Sequence, residues 1–170
     1  MEIYVIRHGI AEPLGTGDEF SDENRSLTEE GRSRMRDVVK GLKKLGVQLD
    51  LIFTSPLVRA VQTAEILAGP LGISKKEIHQ TPALAPGALV EQLFAEIKNR
   101  AGAESIAVVG HQPDLGQLIS RIVQGDGCLL SIQLKKGSIC CINVSETVPV
   151  LRGELLWVLT PRQLRMLAKA

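Results

Sequence analysis

Ile3-Tyr4-Val5-Ile6 is an unbroken run of β-branched and aromatic residues, and it stops abruptly at Arg7-His8-Gly9. Such a run suits a strand buried on both faces, the environment of a parallel sheet. Ser105-Ile106-Ala107-Val108-Val109 repeats the pattern and stops at Gly110-His111. Strands covered on both faces need helices above and below them. The chain is therefore held to the α/β class: a three-layer α/β/α sandwich with a mostly parallel central sheet and helices on both faces. Ligand sites in open sheets of this kind form outside the carboxyl ends of the strands. Arg7, His8 and His111 fall there.

The rest of the chain fits this frame. Residues 9–27 hold Gly9, Pro13, Gly15 and Gly17 and several acids, and read as a long irregular connection of the functional kind. Thr28 is placed as the N-cap of a helix whose first turn carries Glu29 and Glu30. That helix runs to about Leu45, with Met35, Val38, Val39, Leu42 and Leu45 on one stripe, and Gly46 stops it. Leu51–Thr54 is a second short strand. Ser55-Pro56 then reads as a helix start, with Ser55 as N-cap and Pro56 at the first position. Arg59 falls in that first turn, where a cation opposes the helix dipole. A bound anion would explain it, since free N–H groups and the guanidinium would then converge on one ligand. The competing reading is a solvated surface arginine. A short strand is expected near Glu77–Gln80, then helices from about Leu89 to Ala101 and from Pro113-Asp114 to Gln124. Ser131–Leu134, Ser138–Val144 and Leu155–Thr160 read as strands joined by turns, antiparallel additions to the sheet, and Pro161 starts a terminal helix.

Composition narrows the function classes. A chain of 170 residues is expected to form a single domain, 1–170, and to bury roughly 70% of its unfolded surface. A net charge of +1 gives no electrostatic ground for binding nucleic acid or a membrane. Five aromatic residues are too few for a platform that stacks bases. Cys128, Cys140 and Cys141 form no Cys-x-x-Cys pair, so neither a disulfide framework nor a zinc site is expected, and they read as small buried hydrophobes. The N-terminus carries a strand pattern rather than a signal peptide, and no apolar run approaches the ~20 residues of a membrane span. A cytoplasmic protein is expected.

Together these positions describe a chemistry. Arg7 and His8, Arg59 and His111 arrive at one rim of the sheet, and the long connection can bring Arg25 over the same rim. Three guanidiniums and two imidazoles suit a tetrahedral oxyanion, because arginine offers planar, paired hydrogen bonds. The implied ligand is a phosphoryl group. An imidazole among arginines has its charged form disfavoured, so its pKa is expected to fall. One of the two histidines can then attack phosphorus, with water cleaving the adduct later. The arginines and the other histidine would stabilise the transferring group. No acidic cluster suited to Mg²⁺ is present, so no metal and no other cofactor is expected.

At this point the residues resemble a known family. Arg7-His8-Gly9, Leu27-Thr28-Glu29-Glu30-Gly31, Ser55-Pro56-Leu57-Val58-Arg59-Ala60, Gln62-Thr63-Ala64 and Gly110-His111 stand in the order of the histidine phosphatase superfamily, also called the phosphoglycerate mutase-like fold. The resemblance implies His8 as the phosphorylated nucleophile and Arg7, Arg25, Arg59 and His111 as the phosphate pocket. Within the family, the short chain, Arg25-Ser26-Leu27-Thr28 and the Leu164-x-Met166-Leu167-Ala168 ending resemble SixA-type phosphohistidine phosphatases.

One departure bears on substrate. Mutases and many small-molecule phosphatases of the superfamily carry an acidic proton donor after the third strand. Here that segment is Pro82-Ala83-Leu84-Ala85-Pro86-Gly87-Ala88, with no carboxylate before Glu91. An alkoxide leaving group needs a proton in the transition state. A protonated imidazole leaving from phosphohistidine has less need of a dedicated acid. The expected activity is therefore a metal-independent phosphatase acting on a phosphohistidine-bearing protein, such as a phosphotransfer domain, with Glu12 and Glu91 as substitute acids to consider. The alternatives are a phosphatase for a small phosphomonoester such as a sugar phosphate, and a non-catalytic phosphate-binding module. The chain has no large insertion to form a lid, so an open pocket is expected, with residues 9–24 the one segment able to cover it.

Overall fold

The computed structural model describes residues 1–15, 21–100, 102–125, 130–146 and 151–170. Its centre is a sheet of six strands: β1 (Glu2–Arg7), β2 (Leu51–Thr54), β3 (Ile78–Gln80), β4 (Ser105–Gly110), β5 (Ile139–Glu146) and β6 (Arg152–Leu159), in the order β3-β2-β4-β1-β5-β6. The first four in that order are parallel to one another. β5 lies antiparallel to β1 and β6 antiparallel to β5. The expected mostly parallel sheet with antiparallel additions is what the chain forms.

Alternation along the strands explains the three layers. In β1, Ile3 and Val5 point to one side and Tyr4 and Ile6 to the other; in β4, Ile106 and Val108 are opposed to Ala107 and Val109. The first set packs under α3 (Val90–Lys98) and α4 (Asp114–Gln124) through Leu93, Phe94, Ile97, Leu115 and Ile119. The second packs under α1 (Glu29–Lys44), α2 (Val58–Ala68) and α5 (Pro161–Leu167) through Met35, Leu42, Ala60, Leu67 and Leu164. Each fully buried aliphatic side chain contributes about 1.5–3 kcal/mol, so both faces are strongly fixed. Cys140 and Cys141 are buried on opposite faces, one in each layer, and both are free thiols. Cys128 lies outside the described residues.

Close approach explains two glycines. A Cβ on Gly31 would lie 2.0 Å from the Ile10 carbonyl oxygen, and one on Gly41 would lie 2.1 Å from the Leu164 carbonyl oxygen. Only glycine lets α1 press against the chain leaving β1 at one end and against α5 at the other.

Several local expectations need correction. Leu45 is not on the buried stripe of α1: it is 44% exposed, because the helix ends at Lys44 and Gly46 turns the chain with a φ of +77°. Ser55-Pro56 does not start α2, which begins at Val58 after Leu57 as N-cap. Ser55 Oγ accepts from the Leu57 N–H and also contacts a histidine, so it serves the turn before the helix. α3 ends at Lys98, short of Ala101, which lies outside the described residues. Ser131–Leu134 pairs with no strand. Side chains take its carbonyls instead: Gln112 Nε2 donates to Ile132 O at 2.7 Å and Arg7 Nη1 to Leu134 O at 2.6 Å.

Candidate active site

Register places the site. Arg7 pairs with Gly110 across β1 and β4, and Thr54 of β2 pairs with Val109. His8, His111 and Ser55 therefore leave three neighbouring strands at one level, at the carboxyl ends. The His8 N–H donates to Gly110 O at 3.2 Å, while the Gly137 N–H donates to His8 O at 3.1 Å. Held on both flanks, His8 has little freedom in its main chain.

Arg59 joins the two imidazoles. Its Nε donates to His8 Nε2 at 3.4 Å and its Nη2 to His111 Nδ1 at 3.4 Å; the two rings are 5.0 Å apart at their centroids. Arg59 is 3% exposed, so the surface-arginine reading fails and the site-facing one stands. These contacts assign the tautomers. His8 Nδ1–H donates to Gly9 O at 2.7 Å, which leaves the lone pair on Nε2, facing Arg59. His111 Nε2–H donates to Ser55 Oγ at 2.8 Å. Thr63 locks the turn that carries the nucleophile candidate: its hydroxyl accepts from the Gly9 N–H at 3.1 Å and donates to Arg59 O at 2.7 Å. Gln62 Oε1 accepts from the Leu27 N–H at 2.7 Å and ties α2 to the start of α1.

Both imidazoles are kept neutral. Burial pulls His8 down to about 3, helped by the charges of His111, Arg59 and Arg7 and opposed by its bond to Gly9. Burial and then Arg59 pull His111 down to about 4, against the charge of Asp22. The fall was expected from the arginines; burial is the larger cause. Arg7 comes to the same strand-end level as the last residue of β1. Its Nη1 is taken by Leu134 O, while its Nε is shielded from solvent and has no hydrogen-bond partner among the described residues.

Among the described residues, Arg25 is linked to the cleft through a carboxylate that sequence reasoning missed. Asp22, in a 3₁₀ turn over Asp22–Asn24, accepts from Arg25 Nε at 2.8 Å and from Arg59 Nη2 at 2.8 Å, and its carbonyl accepts from Arg59 Nη1 at 2.6 Å. Arg25 Nη1 donates to Glu12 O, and its side chain is 23% exposed. Burial works to raise the Asp22 pKa, but the bond and charge of Arg59 and then Arg25 outweigh it, so the net shift is downward. Asp22 is thus an anion at neutral pH. Its position two residues before Asn24-Arg25 gave no periodic signal, since it sits in irregular chain. Of the substitute acids considered, Glu91 pairs with Arg121 on the surface at 2.8 Å, and Glu12 is exposed and meets the site only through its backbone.

The cleft thus brings together a neutral imidazole whose Nε2 lone pair faces Arg59, one buried and one half-buried guanidinium, a second imidazole and, among the described residues, one anionic partner. A buried, neutral nucleophile beside fixed cations can take and release a phosphoryl group. Among the described residues no group of three or more His, Cys, Asp or Glu is placed to hold a metal ion, and no helix is long and apolar enough to cross a membrane.

Sheet order, strand-end histidines and bridging arginine define a histidine phosphatase. Residues 3–86 match the model of the histidine phosphatase superfamily (branch 1), and the chain belongs to that superfamily. An uncharacterised protein of Picosynechococcus sp. is 39% identical over 127 residues, 74% of each chain. Phosphohistidine phosphatase SixA of Escherichia coli K12 is 28% identical over 173 residues, 100% of this chain and 99% of its own. The solved structure of protein histidine phosphatase SixA complexed with tungstate superposes with a TM-score of 0.83 at 26% identity, covering 96% of this chain and 99% of that one.

Proposed function

We propose that the protein is a cytoplasmic phosphatase that removes the phosphoryl group from phosphohistidine on a protein. His8 Nε2 attacks phosphorus and the P–N bond to the substrate imidazole breaks, with the departing ring leaving neutral after taking a proton from solvent water. Water then attacks the phosphorus on His8, releasing phosphate and restoring the neutral imidazole. Arg7 and Arg59 hold the equatorial oxygens through both steps, and His111 lies against the same group. No bound metal enters this scheme.

One observation carries the choice of substrate. Among the described residues the carboxylate in contact with the cluster is Asp22, held as an anion by two guanidiniums, and 82–88 supplies none. A group so held is a poor proton donor for a departing alkoxide, whereas a phosphohistidine leaving group requires less assistance. The likeness to SixA of Escherichia coli over the full chain supports the same reading.

The test is to incubate the protein with a phosphotransfer domain carrying labelled phosphohistidine, beside a panel of sugar phosphates. Label is expected on His8 and phosphate in solution, with loss of both on His8→Ala, a fall of at least about 1,000-fold for a missing nucleophile. Marked preference for a sugar phosphate would defeat the proposal in favour of the small-molecule phosphatase. Binding of the phosphoprotein without phosphate release, unaltered by His8→Ala, would leave only a phosphate-binding module.

A further inference from the structure

Beside the cleft an open groove of about 870 Å³ runs between the first half of α1, the turn before β5 and α5. Among the described residues its walls carry six cations, Arg7, Arg34, Lys135, Lys136, Arg162 and Arg165, and no carboxylate. Glu30 pairs with Arg34 from outside the walls, and Asp37 lies 3.9 Å from Arg165 while holding Lys40 at 2.9 Å. Lys135, Lys136 and Arg162 are exposed and make no ion pair with a described residue. In a chain of net charge +1, this is a local excess that repels itself and attracts an anionic surface.

Arg7 belongs to both places. It lines the groove, its Nη1 binds the carbonyl of Leu134 just before the two lysines, and its charge acts on His8 and His111. Arg7 is therefore the residue that the groove and the phosphoryl cleft have in common. Its size suits a ligand much larger than a phosphoryl group. The wall chemistry points to protein. Met166, 62% exposed, sets apolar surface among the arginines, a pairing enriched at protein interfaces. No aromatic side chain is among the residues that line the groove, so it lacks the aromatic platform on which single-stranded bases stack.

We propose that this groove docks an acidic face of the phosphoprotein substrate: carboxylates of the partner pair with Lys135, Lys136 and Arg162 while its phosphohistidine reaches His8 past Arg7. The inference rests on the protein-substrate reading above and adds where the partner sits.

The experiment measures two things on the wild-type chain and on the triple variant Lys135→Glu, Lys136→Glu, Arg162→Glu. The first is binding of an unphosphorylated phosphotransfer domain rich in carboxylates beside its histidine. The second is hydrolysis of phosphoimidazole, too small to fill the groove. Binding is expected to weaken at least tenfold in the variant and to fall steeply with salt in the wild type, with phosphoimidazole turnover within twofold of wild type. Lysines placed on the acidic face of the partner should restore binding to the variant, which a merely structural defect would not allow. Equal binding by both chains, no binding by the wild type, or tighter binding of duplex DNA than of the acidic domain overturns the groove. Charge-dependent binding with no hydrolysis of any phosphohistidine substrate keeps the groove and defeats the phosphatase reading, so the two failures are distinct.

Discussion

Arg7 is the last paired residue of β1 and His8 and His111 follow the last pair of adjacent strands, whereas Asp22 and Arg25 reach the same cleft from a short 3₁₀ turn in the connection after β1. Ladder hydrogen bonds and two packed layers hold the first group. The second is held chiefly by ion pairs to one another and to Arg59, with the Asp22 side chain 47% exposed. The strand-end group is fixed before any ligand arrives. The loop group can exchange its partners: the Asp22 carboxylate takes from Arg59 a donor that a phosphoryl oxygen also wants. Rigid attachment holds the proposed nucleophile, and ion pairs hold the loop beside it.

The comparison breaks most visibly at Arg59, the one side chain shared by both groups. Arg59→Lys keeps a charge but loses the fork that spans both imidazoles and Asp22. Steady-state kinetics on phosphohistidine protein should show kcat/KM lower by about 10²–10³-fold. A loss below fivefold would show that the bridge is dispensable.

Next in size is the effect of acid. Both imidazoles have folded pKa values below the unfolded one, so between about 3 and the ordinary histidine value the unfolded chain binds more protons. Stability is therefore greatest above the unfolded histidine pKa and falls as pH drops toward the folded values, by up to about 1.4 kcal/mol per pH unit for each histidine. NMR titration should show neither ring gaining a proton between pH 8 and 5. A midpoint near 6.5 for His8 would show that its surroundings are wetter than the geometry requires.

Thr63→Val sharpens the rigid side. It leaves the buried Gly9 N–H without its partner, at a cost of about 1–3 kcal/mol read as a lower Tm, with a smaller fall in kcat. Asp22→Asn has the smallest expected effect. Removing the anion frees Arg59, so inhibition by inorganic phosphate should tighten a few-fold, on the order of 1 kcal/mol for one weakened ion pair. A hundredfold loss of kcat instead would make Asp22 a proton donor and shift the substrate reading toward phosphomonoesters.

The same division explains what could be read from the sequence. The strand-end residues were legible because a doubly buried run has one composition and one place to put a following polar side chain. Arg59 was legible as an anomaly, a cation in the wrong turn of a helix. Ser55 was assigned to the helix because a Ser-Pro pair fits an N-cap equally well; its contact with His111 depends on β2 and β4 lying side by side. Ser131–Leu134 has strand composition, yet two side chains claim its carbonyls, a competition that composition does not record. Asp22 lacked any signal, because its role depends on a turn folding back toward α2. Arg25 was brought to the rim by the length of the connection that carries it, and to the phosphate pocket by the resemblance; the contacts it makes among the described residues are with Asp22 and the Glu12 carbonyl.

Cys140 and Cys141 are consecutive in a central strand, so they look into different layers, and burial pushes both thiols up to about 12. Bonding them to each other would mean dismantling β5, and each offers peroxide almost no thiolate to attack. With an imidazole as the proposed nucleophile, these two sulfurs give oxidants no handle on turnover, in contrast to enzymes that keep a reactive thiolate in the active site.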